Sequence, residues 1–376
     1  MAVKKIQSKD GIASWKIDSP VERWLAKRAD KSDFWKRKYV DYYKSKDPVY
    51  FTKGLKLIDK NIEIFAGGGI TQEQHDHYLY DMVYSLHRFG CMFDEYFMFD
   101  FEHLNVAGRE TFITDKKRWE YYDRMNQREN LDIFNDKKKA YDVFGEYYKR
   151  ELILLTGKYD KELFASFTSR HKSFIVKPYN GSGGRGISIY HSKDYLSVDE
   201  LFAAVMSKGA VVCEELIVQA KEMAVLHQGS VNTCRIPTVR VGDEVIVFHP
   251  CLRMGSGNAV VDNASSGGII APIDATTGIV VMRGEDEKHN SYIRHPDSGV
   301  IIPGFVIPHW NEVVSLVTEM AKVVSGNQYC GWDVAFTDAG WVMVEGNPRG
   351  QFIEQYATHK GIKPELEKLI ATIERM

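Results

Sequence analysis

The segment from Gly331 to Asn347 constrains this chain more than any other. It holds two β-rich runs around a turn signal, Asp338-Ala339-Gly340. Symmetry about Ala339 predicts Asp333 opposite Glu345, with Cβ atoms about 5 Å apart. Val334, Phe336, Val342 and Val344 then share the other face, the core face. A one-residue slip would reverse every side chain, so the apolar pattern supports this register. Two opposed carboxylates repel each other. A hard divalent cation removes that penalty, and Asn347, two residues on, adds an oxygen on the same face. Few protein oxygens, completed by phosphate and water, favour Mg²⁺. The plainer reading is a protonated or solvated acid pair at a hairpin end.

A second constraint is Gly181-Ser182-Gly183-Gly184-Arg185-Gly186, a G-x-G-x-x-G match. Phe174–Lys177 precedes it as a short β-rich run, and Ile187–Tyr190 follows as an alternating one. A dinucleotide fingerprint needs a helix after the loop, and Walker A needs Gly-Lys-Ser/Thr at its end. Neither is present, nor are the H-R-D and D-F-G motifs of protein kinases. Strand–glycine loop–strand is the geometry of a flap over nucleotide phosphates, whose backbone N–H groups can approach where Cβ atoms are missing. Lys177 could place an ammonium on the same phosphates. An ordinary glycine-rich hairpin is the alternative.

The rest of the chain bounds the answer. Its 376 residues suggest two or three domains, and 44% apolar residues are enough for a core. A net charge of −2 lacks the footprint of a nucleic-acid binder. No apolar run reaches the roughly 20 residues of a membrane span, and Met1–Lys16 has no apolar signal core. The cysteines, Cys91, Cys213, Cys234, Cys251 and Cys330, contain no C-x-x-C and read as buried thiols in a reducing cytoplasm. The first 130 or so residues are aromatic-rich, with helical periodicity in Leu79–Phe89 and Lys116–Met125. His75-Asp76-His77 reads as a solvated helix face. Later come a helix over Ser197–Ser207 with Ser197 and Glu200 spaced as a capping box, strands at Ala210–Cys213 and Leu216–Val218, and alternation from Val231 to Met254. Gly255–Gly268 is long enough to be a functional loop. Helices follow at Trp310–Val324 and Pro364–Ile373. This mixed order fits an α+β fold better than a doubly wound sheet.

Together these residues resemble the ATP-grasp superfamily. The resemblance rests on Lys177-Pro178 with the glycine loop, Glu214-Glu215-Leu216-Ile217, and Asp333 followed by Glu345-Gly346-Asn347. Asn232 to Ile236, Leu252 to Gly255, and Asp262-Asn263 to Gly267-Gly268 look like its sugar-transfer-associated, glutamate-ligase-related branch. The similarity runs from about Asp136 to Phe352. It implies an ATP-grasp fold, two α+β subdomains gripping ATP, behind a largely helical N-terminal region. The expected boundaries are residues 1–135 for that region, 136–218 for the lid subdomain with the flap, and 219–376 for the subdomain with the magnesium site.

The resemblance also implies roles. Lys137 looks like the first nucleotide lysine, with Lys138 competing, and Lys177 like the second. Ser182, Gly183, Gly184 and Gly186 belong to the phosphate flap. Glu214, Glu215, Leu216 and Ile217 would meet adenine through backbone groups, and Glu222 is a candidate for the ribose hydroxyls. Asp333, Glu345 and Asn347 match the magnesium ligands. D-alanine–D-alanine ligases carry an arginine two residues before the first metal carboxylate, where this chain has Gly331. The charge at the transferring phosphoryl must then come from Arg235, Arg253 or Arg349. The implied activity is an ADP-forming carboxylate–amine ligase using ATP and Mg²⁺ through an acyl phosphate. Its substrates would be a small carboxylate and an amine, an amino acid or amino sugar, in polysaccharide or glycoconjugate biosynthesis. A phosphotransferase acting on a hydroxyl and an inactive nucleotide-binding partner are the alternatives. The oligomeric state is left unassigned.

Overall fold

A computed structural model describes residues 19–46, 48–179, 186–259, 262 and 267–376. Ser182, Gly183 and Gly184 of the expected flap lie outside the described residues. The chain divides into two compact units, one of Met1–Tyr121, Lys288–Asn290 and Thr358–Lys368, the other of the remainder.

The first unit is helical, as its periodicity predicts. Pro20–Ala29 starts at a reciprocal Ser19/Glu22 capping box. Gln72–Phe89 starts at Thr71/Gln74 and stops at Gly90, whose φ of 71° suits a residue without a Cβ. Asp81, buried on that helix, accepts from both terminal nitrogens of Arg109, from Tyr96 Oη at 2.7 Å and from Lys36 Nζ at 2.8 Å.

The second unit contains every strand of the described residues: β1 (Leu152–Leu155), β2 (Ser173–Pro178), β3 (Ser188–His191), β4 (Val211–Glu215), β5 (Thr233–Val241), β6 (Glu244–Val247), β7 (Cys251–Met254), β8 (Ile269–Pro272), β9 (Gly284–Glu285), β10 (Ser291–Tyr292), β11 (Tyr329–Thr337) and β12 (Gly340–Asn347). A four-stranded sheet has the order β1-β4-β2-β3. The eight-stranded sheet runs β10-β9-β8-β7-β5-β11-β12, with β6 paired to β5. The small sheet buries Phe174, Val176 and Val211 against Phe164 and Phe167 of helix Lys161–Arg170 and Leu201 and Val205 of helix Val198–Met206. The large sheet buries Trp332, Val334, Phe336 and Met343 against Val313, Val317 and Met320 of helix Trp310–Val323. That spacing is one helical face.

Two local expectations change. Glu214 and Glu215 do not interrupt a strand. They complete β4, because β1 and β2 pair with it through Glu214 and Glu215, and Leu216–Val218 lies beyond it. The hairpin does pair Asp333 with Glu345, but its turn has two residues: Thr337 faces Gly340 and Val334 faces Met343. A bulge at Val344 then restores the acid pair. The core face is therefore Val334 and Phe336 with Trp341 and Met343, not Val342 and Val344. All five cysteines are buried and free. Among the described residues, no helix is long and apolar enough to cross a membrane.

Candidate active site

Strand pairing assembles one polar face on the large sheet. Arg235 of β5 is directly opposite Asp333 of β11, Asp333 is opposite Glu345 of β12, and Thr233 of β5 is opposite Arg253 of β7. Asn347 follows Glu345 at the two-residue period of the strand. The side chains then meet. Arg235 Nε donates to Asp333 Oδ1 at 2.5 Å and its Nη2 to Oδ2 at 2.9 Å, while Arg253 Nη1 donates to Oδ2 at 2.9 Å. The other terminal nitrogen of Arg253 reaches Asp262 Oδ1 at 3.1 Å, and Asp262 accepts from the Thr233 backbone N–H at 3.0 Å. Asn347 Nδ2 bridges Glu345 Oε1 at 3.1 Å and Asp333 Oδ2 at 3.4 Å.

Gly331 explains how Arg235 reaches this position. A Cβ there would lie 3.1 Å from Arg235 Cδ, and one at Gly350 would lie 3.0 Å from Arg235 Nη1. Two glycines thus clear a channel for the guanidinium.

The electrostatics separate the two acids. Burial alone would raise the Asp333 pKa, but the guanidiniums of Arg235 and Arg253 outweigh it and hold the carboxyl well below its ordinary range. Glu345 is exposed to solvent at its position on β12. Partial dehydration first, and the Asp333 charge second, raise its pKa. Asp333 is neutralised by two arginines, whereas Glu345 forms no ion pair among the described residues.

The four-stranded sheet supplies a second cluster. Lys177, on β2, places Nζ 2.8 Å from Glu214 Oε1. Arg150 donates from Nη2 to Glu214 Oε2 at 2.9 Å and from Nη1 to the Met343 carbonyl at 2.5 Å. It therefore ties β4 to β12. Burial opposes ionisation of Glu214, yet Lys177 and Arg150 bring its pKa down to about 2. Lys137 opens helix Lys137–Tyr148 behind the Asp136 cap, and its Nζ is 3.3 Å from the Tyr179 carbonyl. Burial and then the Lys177 charge lower its pKa, with Glu345 and Glu214 opposing. Lys137, Lys177, Glu214 and Glu345 thus share one electrostatic neighbourhood. Lys138 instead pairs with exposed Asp142 at 2.5 Å.

The remaining candidates are placed less centrally. Gly186 has φ 76°, and a Cβ there would come within 2.8 Å of Pro178 Cγ, so this position requires glycine. Glu215 accepts from Glu151 N at 3.2 Å. Leu216 and Ile217 are half-buried and Glu222 is exposed. Arg349 donates to Asp123 at 2.8 Å. Arg150 was not visible as a site residue in the sequence: an arginine following a helix reads as solvated, and only folding buries it.

Magnesium fits the donor set. Oδ1 of Asp333 takes only the Arg235 Nε donor among the described residues, and the one hydrogen bond to Glu345 comes from Asn347. Two carboxylates beside an amide side chain suit this ion, which takes hard oxygens and commonly keeps water and phosphate as further ligands.

A family model described as sugar-transfer associated ATP-grasp matches residues 116–371. No curated protein matches the chain. Among solved structures, the ATP-grasp ligase PsnB complexed with minimal precursor, Mg and ADP is 18% identical, with 67% of this chain and 62% of that one covered and a TM-score of 0.40. D-alanine–D-alanine ligase from Bacillus anthracis is 15% identical over 66% of this chain and 70% of that one, at 0.39. L-amino acid ligase from Bacillus licheniformis is 12% identical over 62% and 44%, at 0.38. The chain spans less than two thirds of the length of PsnB. The family match covers well over half of the sequence and includes both ion clusters, so the chain belongs to the sugar-transfer associated ATP-grasp family.

Proposed function

We propose that this protein is an ATP- and magnesium-dependent carboxylate–amine ligase that works through an acyl phosphate. The observation that carries the reading is the convergence of Lys137, Lys177, Glu214 and Glu345 on one neighbourhood, with Asp333 and Asn347 beside Glu345. Lys137 and Lys177 bind the phosphates of the nucleotide. Glu214, clamped by Lys177 and Arg150, holds the second lysine in place. Backbone groups of Glu214 to Ile217 meet adenine, Glu222 the ribose, and the glycine-rich sequence from Ser182 to Gly186 is assigned to phosphate binding. Asp333, Glu345 and Asn347 hold the cation, which supplies charge neutralisation for the triphosphate.

Arg235 and Arg253 are oriented by Asp333 and face the transferring phosphoryl. Phosphoryl transfer asks a protein mainly for positioning and charge compensation, which fits a site without a nucleophilic side chain. The γ-phosphoryl passes to a substrate carboxylate oxygen with loss of ADP. An amine then attacks the acyl carbon, phosphate leaves, and an amide remains. The acid and amine are read as an amino acid or amino sugar and a carboxylate-bearing partner in polysaccharide or glycoconjugate assembly.

Incubation with ATP, magnesium, candidate acids and hydroxylamine tests the chemistry. A hydroxamate with stoichiometric ADP is expected. A stable phosphomonoester would instead establish a kinase, and absence of magnesium-dependent ADP release with every acid would remove the reading.

A further inference from the structure

A second cluster of ligating side chains lies in the same unit, apart from the residues assigned above. His227 follows the short helix Lys221–Ala224, and His295 and Asp297 sit in the turn closed by the Arg294–Ile301 bridge. One ligating atom from each of the three lies within 4.8 Å of the others. His227 Nδ1 and Asp297 Oδ2 are 3.3 Å apart. Two ligands on a tetrahedral zinc ion, each about 2.0–2.1 Å from it, are separated by about that distance.

Two further observations point to a cation rather than to a simple hydrogen-bonded pair. His295 Nε2 lies 2.8 Å from the Gly255 carbonyl, a contact that requires a proton on Nε2. Its Nδ1 therefore keeps its lone pair, and among the described residues that nitrogen has only a long 3.3 Å contact from the Asp297 backbone N–H. Metal-bound histidines are commonly oriented by such a backbone contact from the far nitrogen. His227 is 6% exposed, and among the described residues its Nε2 has no hydrogen-bond partner, packed where Cβ atoms at Gly229 and Gly255 would fall. Among the described residues no polar partner lies on the far side of this ring, and the edge carrying Nδ1 faces Asp297. The Gly257 N–H at 2.7 Å holds the Asp297 carboxylate in place.

We infer that His227, His295 and Asp297 form a binding site for a transition-metal ion, zinc by preference. Two imidazoles and one carboxylate suit zinc, whereas magnesium and calcium prefer all-oxygen shells. The Asp297 side chain is 42% exposed, so the site opens to solvent. Three protein ligands leave a fourth position for water or for an oxygen of a bound acceptor.

The test uses the full chain stripped with chelator, without nucleotide, and titrated with Co²⁺ and then Zn²⁺. One equivalent of Co²⁺ should give the visible absorption of a tetrahedral site and be displaced by Zn²⁺. His295→Gln and Asp297→Asn should each weaken binding about tenfold or more, while Glu345→Gln should leave this signal intact. Circular dichroism checks folding. If His295→Gln unfolds, Asp297→Asn decides, since its side chain is partly exposed. Absence of the tetrahedral spectrum in the wild-type chain, or equal affinity in Asp297→Asn, would overturn the site. Loss of the signal in Glu345→Gln would reassign the ion to the magnesium ligands.

Discussion

The two units each bury an aspartate beside cations, and the two arrangements differ in what they leave over. In the helical unit Asp81 meets Arg109 and Lys36 and also accepts from Tyr96, so its acceptor sites are filled. Burial would raise its pKa, but Arg109 and Lys36 bring it down to about 2. On the large sheet Asp333 is held just as firmly by Arg235 and Arg253, yet Glu345 stands opposite it with a raised pKa and an open side. A closed network of the first kind fixes packing. A network with one carboxylate in excess retains affinity for a cation, and that excess marks a site.

This contrast can be broken by substitution. Asp81→Asn strands Arg109 in an apolar setting and should cost about 3–5 kcal/mol of stability, measured by urea unfolding of the full chain. Glu345→Gln should do the reverse: unfolding stability holds or rises slightly as repulsion from Asp333 disappears, while magnesium-dependent ADP release falls about 100-fold or more. Marked destabilisation by Glu345→Gln would place both networks in the structural class.

The pH dependence sharpens the same difference. The Asp81 pKa is depressed, so its contribution is present above the unfolded value near 3.8 and is lost as pH falls toward about 2. Glu354 behaves oppositely. Burial raises its pKa to about 8, so stability falls as pH rises from about 4.5 to 8. Glu354→Gln should flatten that alkaline limb in thermal melts taken across the range. For Glu345, a raised pKa means that magnesium affinity weakens on acidification before an ordinary carboxylate would protonate. Calorimetry at stepped pH reads this directly. The smallest effect is expected at Arg349, whose partly exposed pair with Asp123 is worth about 0.2–1 kcal/mol. Arg349→Ala should shift the urea midpoint only slightly.

Some of the candidate site was legible because its determinants are local. The period of a strand and a Gly-containing turn sufficed to set Asp333 against Glu345, and a strand–glycine–strand pattern sufficed to set aside a dinucleotide fingerprint. The core face of the hairpin was misread because a bulge at Val344 adds one residue that composition does not reveal. Arg150 was missed because its partners, Glu214 and Met343, are remote in sequence.

The sequence by itself determined the α+β class, the helical first region, the acid pair and the family, since each follows from periodicity or from short motifs in order. Only the tertiary structure decided that Arg235 lies over Gly331, that Glu214 is clamped between Lys177 and Arg150, and that His227 meets His295 and Asp297. These depend on which strands become neighbours and which loops close over them. That choice is made by burial of the whole core, and no local pattern encodes it.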